Sequence, residues 1–227
     1  MQIKSFLHLT TRVLKRLYFG PFDSFLREVD GVIHIGANEG QEREHYKKYG
    51  INNVLWIEAD PFVFKRLKKN LLNYENQYAI NYLILDKKQR IQFNISNAKG
   101  NASSVFNLFE HKQMYPEIKF KKKIMMQAHT FKSIVKKENI NIKKYQSLIL
   151  DTQGSELLIL KGAKKLLNNF KFIKLECANF EIYRNCPSEK EISSYLLNYG
   201  FQEVKRIKID EYKNEKKVFD ILYVQKN

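Results

Sequence analysis

Cysteine is nearly missing from this chain: Cys177 and Cys186 are the only two among 227 residues. Neither stands in a Cys-x-x-Cys or Cys/His spacing, so a zinc site is not expected. A disulfide framework is equally out of place in a chain of this length, and a reducing, cytoplasmic compartment is the default. Glycine is held to nine and proline to four, and no repeat, low-complexity tract or linker is visible. No apolar run approaches the length of a membrane span. The N-terminus is basic, but charges interrupt its apolar residues, which argues against a signal peptide. Acids are also short, with twenty-four Asp and Glu against forty Lys and Arg, for a formal net charge of +16. That excess raises the local concentration of anionic partners such as nucleic acid, membrane surface or phosphorylated substrates. The lysines are scattered rather than blocked, so a general compositional bias accounts for it as well.

What is present is enough apolar residue, 44% of the chain, for one sizeable core. Residues 2–18 put Ile3, Phe6, Leu7, Val13, Leu14 and Leu17 on one side of a helix and Lys4, Arg12, Lys15 and Arg16 elsewhere. Such an amphipathic helix is expected to pack on the domain, and its basic face also suits peripheral contact with a membrane. "GVIHIG" (31–36) and "NVLWIEAD" (53–60) have the near-continuous apolar character of buried parallel strands. Helices are expected over 39–49 and from Pro61 to about Tyr74, then strands over 77–86 and 89–96. Residues 97–122 have no strong period and suggest a loop over the site. A helix over 130–139, a strand over 145–151, a helix over 155–169 and a strand over 170–177 follow. Ser188, with Glu191 three residues on, announces a capping box for a helix that ends near Gly200. "FQEVKRIKI" and "KVFDILYV" close the chain as an antiparallel pair. This alternation predicts a single α/β domain with a doubly wound, mostly parallel sheet and an antiparallel C-terminal strand.

In such sheets a ligand binds beyond the carboxyl ends of the strands, usually after the first. Gly36-Ala37-Asn38-Glu39-Gly40 stands there. Gly36 suits a tight turn, and Gly40 is expected to let the backbone approach a ligand. The middle glycine of G-x-G-x-x-G is absent, which disfavours a dinucleotide, and no Gly-Lys-Ser/Thr follows, which excludes a P-loop. Glu58, twenty residues on at the next strand end, is positioned to accept both hydroxyls of a ribose. A glycine turn and a ribose acid without a pyrophosphate site suit S-adenosylmethionine. Asp151, at the carboxyl end of "LILD", faces the same crevice; it is either a helix cap or an acid for substrate work.

Taken together, "VIHIGANEGQE", "WIEADP", "NASSVF", "LDTQGSELLILKGA" with a later "KLE", and "VFDILYV" resemble the FkbM-type S-adenosylmethionine-dependent methyltransferases over residues 30–224. The resemblance implies a class I, Rossmann-like methyltransferase fold and O-methylation of a sugar hydroxyl, nucleotide-activated or in a surface glycan of capsule or lipooligosaccharide biosynthesis. Gly36, Asn38, Gly40 and Glu58 match the family's cofactor positions, and Asp151 matches the acid of its D-x-E-G turn. Gln153 replaces the usual glutamate of the D-x-E-G turn, which puts a metal or base role of that position in doubt.

A sugar hydroxyl is a poor nucleophile, so a general base or a Lewis-acidic metal is expected. Asp151, His111 and Glu176 are the catalytic candidates, with His129 and His34 behind them. His34, Ala37, Ala59, Asn81, Tyr82 and Ser103 join the expected cofactor set. Ser104, Gln153, Asn179 and Glu181 are candidates for the acceptor. Asp151, Glu176, Asn179 and Glu181 could also hold Mg²⁺, an alternative the reading does not favour. Two other functions stand against the sugar reading. An RNA methyltransferase would use the positive charge, but no RNA-binding appendix or Asn/Asp-Pro-Pro-aromatic tetrad is present, so nucleic acid is not favoured. A non-catalytic module of the same fold would bind a partner through the basic helix. The acceptor sugar and the oligomeric state, a homodimer included, are left open.

Overall fold

The computed structural model describes residues 21–226 except 52, 99 and 214, so the expected helix over 2–18 lies outside the described residues. Ten strands are described: β1 (Gly31–Ile35), β2 (Asn53–Glu58), β3 (Gln77–Asn81), β4 (Leu83–Leu85), β5 (Gln89–Ser96), β6 (Phe120–Thr130), β7 (Ser147–Leu150), β8 (Phe172–Ala178), β9 (Phe201–Tyr212) and β10 (Lys216–Gln225). The helices are α1 (Arg43–Lys48), α2 (Pro61–Asn70), α3 (His111–Met114), α4 (Phe131–Lys137), α5 (Glu156–Ala163) and α6 (Glu189–Leu197). Seven strands form one sheet in the order β3-β2-β1-β7-β8-β10-β9. Its pairs from β3 to β8 are parallel, and β10 runs antiparallel to both β8 and β9.

Every residue of β1 and β7 is buried, as a strand covered on both faces must be. Period-2 alternation divides the side chains between two cores. Ile33, Ile35, Leu55, Ile57, Leu148 and Leu150 meet Leu157 and Leu160 of α5 on one face. Val32, Val54, Trp56 and Ile149 meet Phe22, Phe25 and Leu26 of a 3-10 helix (Pro21–Glu28) on the other. Each such large apolar side chain contributes about 1.5–3 kcal/mol by leaving water. Local signals set the helix ends. Asp60 caps α2 by accepting from the Phe62 and Val63 amides at 2.8 and 3.3 Å, and Pro61 supplies the fixed φ of the first turn. Ser188 and Glu191 form the expected capping box on α6.

Three expectations are corrected. The strand expected over 77–86 is two strands in different sheets. The Asn81 side-chain amide donates to the carbonyls of Glu58 and Ala59 at 2.7 and 3.0 Å, and the Tyr82 amide donates to Glu58 at 3.2 Å. These bonds end the ladder at Asn81, and the chain leaves the large sheet. β4 then joins a second sheet of order β4-β6-β5. Its long strand β6 runs from the end of the stretch read as loop, through residues 123–129 given no element, to the first residue of the expected helix. Finally, the helix expected over 155–169 is α-helical only to Ala163 and continues as a 3-10 helix over Lys164–Asn169. Cys177 and Cys186 are both free thiols. Among the described residues no helix is long and apolar enough to cross a membrane.

Candidate active site

The sheet order reverses beside β1: the chain steps outward through β2 and β3, then returns to the other side as β7. Strand order therefore opens a crevice above the carboxyl ends of β1, β2 and β7. Gly36, Asn38, Glu58, Asp151 and Gln153 line it, with Ile35, Ile57, Phe93 and Val105 as apolar wall. Tyr82, Ala59 and Ser103 border it as well.

The glycine turn is held from below. The amides of Gly36 and Ala37 both donate to the Ile57 carbonyl, at 2.9 and 3.1 Å. The Asn38 amide donates to Glu58 Oε2 at 2.7 Å, and the Gly40 amide to the Ala37 carbonyl at 2.9 Å. Amides spent this way form no nest for a phosphate, which fits the missing middle glycine. Asn38 adopts φ +46°, a left-handed conformation that asparagine tolerates. Its side-chain amide donates to Asn101 Oδ1, while its own Oδ1 is buried without a hydrogen-bond partner among the described residues.

Glu58 is 8% exposed and also accepts from the Asp60 amide at 2.7 Å. Burial pushes its carboxyl up to about 7; the amides of Asp60 and Asn38 oppose that rise, and the Asp60 charge adds to it. A second buried acid, Glu156, stands at the start of α5 and takes the Thr152 amide, the Thr152 hydroxyl and the Gly154 amide at 2.8, 3.0 and 3.4 Å. Burial raises it to about 7 too, against the backbone bonds it accepts and with the Asp151 charge adding. Glu156 thereby ties down the turn that carries Asp151 and Gln153. The Gln153 side chain donates to Asp151 Oδ1 at 2.8 Å.

Several expected residues stand elsewhere. His34 is on the other face of β1, its Nδ1 2.9 Å from the Tyr46 hydroxyl and its ring stacked on Trp56. Even-numbered β1 residues face away from the crevice wall formed by Ile35, so the period of the strand removes it. Ala37 is packed in that same core. Gly40 makes its close approach to a side chain rather than a ligand: a Cβ there would lie 2.8 Å from Leu67 Cδ1. Asn81 is spent on the carbonyls that end β3. Ser104 donates to the Gln153 carbonyl at 2.8 Å and accepts from the Phe106 amide, so it supports the turn instead of facing an acceptor. Asn179 is exposed and bonded to the backbone of Glu215 and Lys217, and Glu181 accepts from the Asn185 amide.

His111 is 2% exposed, sandwiched by the rings of Tyr115 and Tyr183 at 5.0 and 5.2 Å. His129 lies on β6 against the edge of Tyr82, and burial with the charges of Lys137 and Lys88 lowers its pKa. Glu176 lies at the end of β8 and borders a second cavity of about 470 Å³ on the His34 face, which Asp151 borders too. No three His, Cys, Asp or Glu side chains among the described residues converge to hold a metal ion. The crevice contains residues the sequence did not single out, chiefly Asn101, Thr152 and Phe93. Asp60 before Pro61 is a cap signal the sequence reading passed over; Tyr183, which donates to Gln153 Oε1 at 2.6 Å, carried no such signal.

The methyltransferase FkbM domain matches residues 34–203, three quarters of the chain. The chain belongs to the FkbM methyltransferase family. A 2-O-methyltransferase, NoeI of Sinorhizobium fredii strain NGR234, is 24% identical to this FkbM methyltransferase over 168 residues, covering 70% of this chain and 68% of that protein. The fold is that of class I methyltransferases. The magnesium protoporphyrin IX methyltransferase of Synechocystis PCC 6803, solved with bound S-adenosylmethionine, superposes with TM-score 0.52 at 12% identity, over 97% of this chain and 81% of that one. Fibrillarin of Aeropyrum pernix, also solved with S-adenosylmethionine, gives 0.51 at 13% identity, over 95% and 74%.

Proposed function

We propose that this FkbM methyltransferase moves the methyl group of S-adenosylmethionine to a sugar hydroxyl, on a nucleotide-activated sugar or a surface glycan, in the cytoplasm. The observation that carries the reading is the pair of carboxylates, Glu58 and Asp151, at strand ends on either side of β1 in one crevice. The 2-O-methyltransferase relative supports oxygen as the acceptor, and its kinship is with the whole of the matched segment rather than one motif.

The residues fit the cofactor. Glu58 presents a buried carboxylate to ribose hydroxyls, and the unpartnered Asn38 Oδ1 offers an acceptor beside it. The turn amides are engaged internally, in keeping with a ligand that has no pyrophosphate. Bound there, the cofactor would supply an electrophilic methyl group. Asp151 then orients the acceptor hydroxyl and takes its proton, while Gln153 holds the carboxylate toward the crevice. The apolar wall of Ile35, Ile57, Phe93 and Val105 limits water around the reacting atoms.

The test is incubation of the full chain with S-adenosylmethionine and a panel of nucleotide-sugars and glycans, with and without EDTA, read by mass spectrometry. A gain of one methyl group on a sugar is expected, and Asp151→Ala should abolish it in a folded protein. Methylation of RNA with no sugar product would transfer the assignment to the nucleic-acid reading that the +16 charge suggests. Absence of cofactor binding in calorimetry would leave only a binding module.

A further inference from the structure

Tyr183 lies in the segment after β8, 1% exposed, and the proposed chemistry gives it no part. Its hydroxyl nonetheless stands two hydrogen bonds from the acid assigned the proton. The hydroxyl donates to Gln153 Oε1 at 2.6 Å, and Gln153 Nε2 donates to Asp151 Oδ1 at 2.8 Å. A primary amide has one accepting end and one donating end. If it were turned over, its oxygen would face the carboxylate and its NH2 would face the hydroxyl, an arrangement that sets two acceptors against each other at Asp151. Asp151, which only accepts, therefore sets the orientation with NH2 toward itself, and the Tyr183 hydroxyl anchors the amide there by donating to the Oε1 left on the other side.

The frame around Tyr183 is rigid enough to hold that anchor. Leu108 and Tyr183 form an antiparallel bridge, and the Arg184 amide donates to the Asn107 carbonyl at 2.9 Å. The His111 amide donates to Ile182 at 3.0 Å, and the His111 ring lies 5.2 Å from the Tyr183 ring. Gln153, in contrast, sits at φ +57° on a left-handed turn. A residue in that region persists when its surroundings hold it there.

We propose that Tyr183 is a positioning residue: through the Gln153 amide it fixes the Asp151 carboxyl in the crevice. The idea rests on the reading of Asp151 as the group that takes the acceptor proton. It also gives Gln153 a purpose, since its amide donates to Asp151 where an ionised glutamate would repel it.

The test pairs a spectroscopic readout with a kinetic cycle. Tyr183→Phe removes one oxygen from an otherwise unchanged ring. In ¹⁵N-labelled full-length protein, the Gln153 side-chain NH2 resonances, assigned by their loss in Gln153→Ala, should shift and exchange faster in Tyr183→Phe. The Trp56 indole resonance should stay in place. Where turnover is measurable, Tyr183→Phe should lower kcat about tenfold, the scale of one lost hydrogen bond, and change KM less than about twofold. Gln153→Ala should cost the same or more, and adding Tyr183→Phe to it should cost nothing further. Unmoved Gln153 resonances in Tyr183→Phe, or losses that multiply in the double variant, would overturn the proposal. A wild-type protein that transfers no methyl group defeats the functional reading alone, because the resonance experiment still decides whether Tyr183 anchors the amide.

Discussion

Gly36 lies against the Asp151 backbone so closely that a Cβ on it would sit 2.0 Å from the Asp151 carbonyl oxygen. The contact joins the first turn of the crevice to the strand end that carries the proposed base, and Asp151 returns it by donating its amide to Ile35 at 3.0 Å. Gly36 also holds φ +83°, where L side chains are strained. Gly36→Ala should therefore cost more than about 3 kcal/mol, combining backbone strain with a clash against main chain that cannot rotate away. Chemical denaturation of the two proteins measures it. A loss under 1 kcal/mol would mean that β1 and β7 separate at their ends more easily than this contact implies.

Glu58 and Glu156 make the chain's stability pH-dependent in a direction opposite to the usual carboxylate. Both are raised to about 7, chiefly by burial, from the ordinary glutamate value of 4.5. The unfolded chain releases these protons near 4.5 while the folded one keeps them to about 7. Their contribution is complete below 4.5, declines as pH rises between these values, and is gone above 7. Each should account for about 3 kcal/mol over that window. Glu58→Gln and Glu156→Gln should each flatten the slope of unfolding free energy against pH. Cofactor affinity should run the other way for Glu58, strengthening as pH passes 7, because the ionised carboxylate is the better acceptor for ribose hydroxyls. Calorimetry at pH 6 and 8 checks this, and Glu58→Gln should remove the difference.

The central strands β1, β2 and β7 were legible because they are buried on both faces and so carry near-continuous apolar runs. Pro61 announced one helix by its fixed φ, and Ser188 with Glu191 announced another by capping chemistry. β6 was missed although Phe120, Ile124, Met126 and Ala128 alternate inward. Its other face is exposed, and Lys121, Lys122 and Lys123 interrupt the apolar signal. Glu58 and Asp151 could be placed at the crevice because their strand ends follow from the fold. His34 could not be kept there, since one residue of strand period decides the face. Tyr183 had no signal at all; its approach to Gln153 depends on how residues 104–111 and 182–186 pack, a tertiary matter that local pattern does not encode.

Lys174 sits between two acids on the His34 face, 3.0 Å from Asp23 and 3.5 Å from Asp220, with 19% of its side chain exposed. Asp23 also lies 3.3 Å from His45 Nε2. Burial pushes the Asp23 carboxyl up, but His45 and Lys174 more than offset it and bring it to about 2. The stability that its ionised form contributes is present above 3.8 and lost as pH falls through about 2. Lys174→Met should cost about 3 kcal/mol, because it leaves two largely buried carboxylates facing one another without the cation. Adding Asp23→Asn should recover part of that loss. Urea denaturation at neutral pH gives both numbers, and a neutral Lys174→Met would show that water already screens this cluster.

Asn38 offers the sharpest separation of fold from binding. Its φ of +46° is one that glycine adopts freely, so Asn38→Gly preserves the turn while removing the amide. Asn38→Ala removes the amide and strains the turn as well. The fold loses only the contact with Asn101, which lies at the edge of the crevice. The buried Oδ1, by contrast, has no partner among the described residues and is open to a ligand in the crevice. Asn38→Gly should therefore leave the unfolding midpoint nearly unchanged and weaken S-adenosylmethionine binding about tenfold, the scale of one buried hydrogen bond. Calorimetric titration with S-adenosylmethionine and with S-adenosylhomocysteine reads that change. Equal weakening of both would place the contact on the adenosine or amino-acid part they share, whereas a loss confined to S-adenosylmethionine would place Asn38 beside the methyl group.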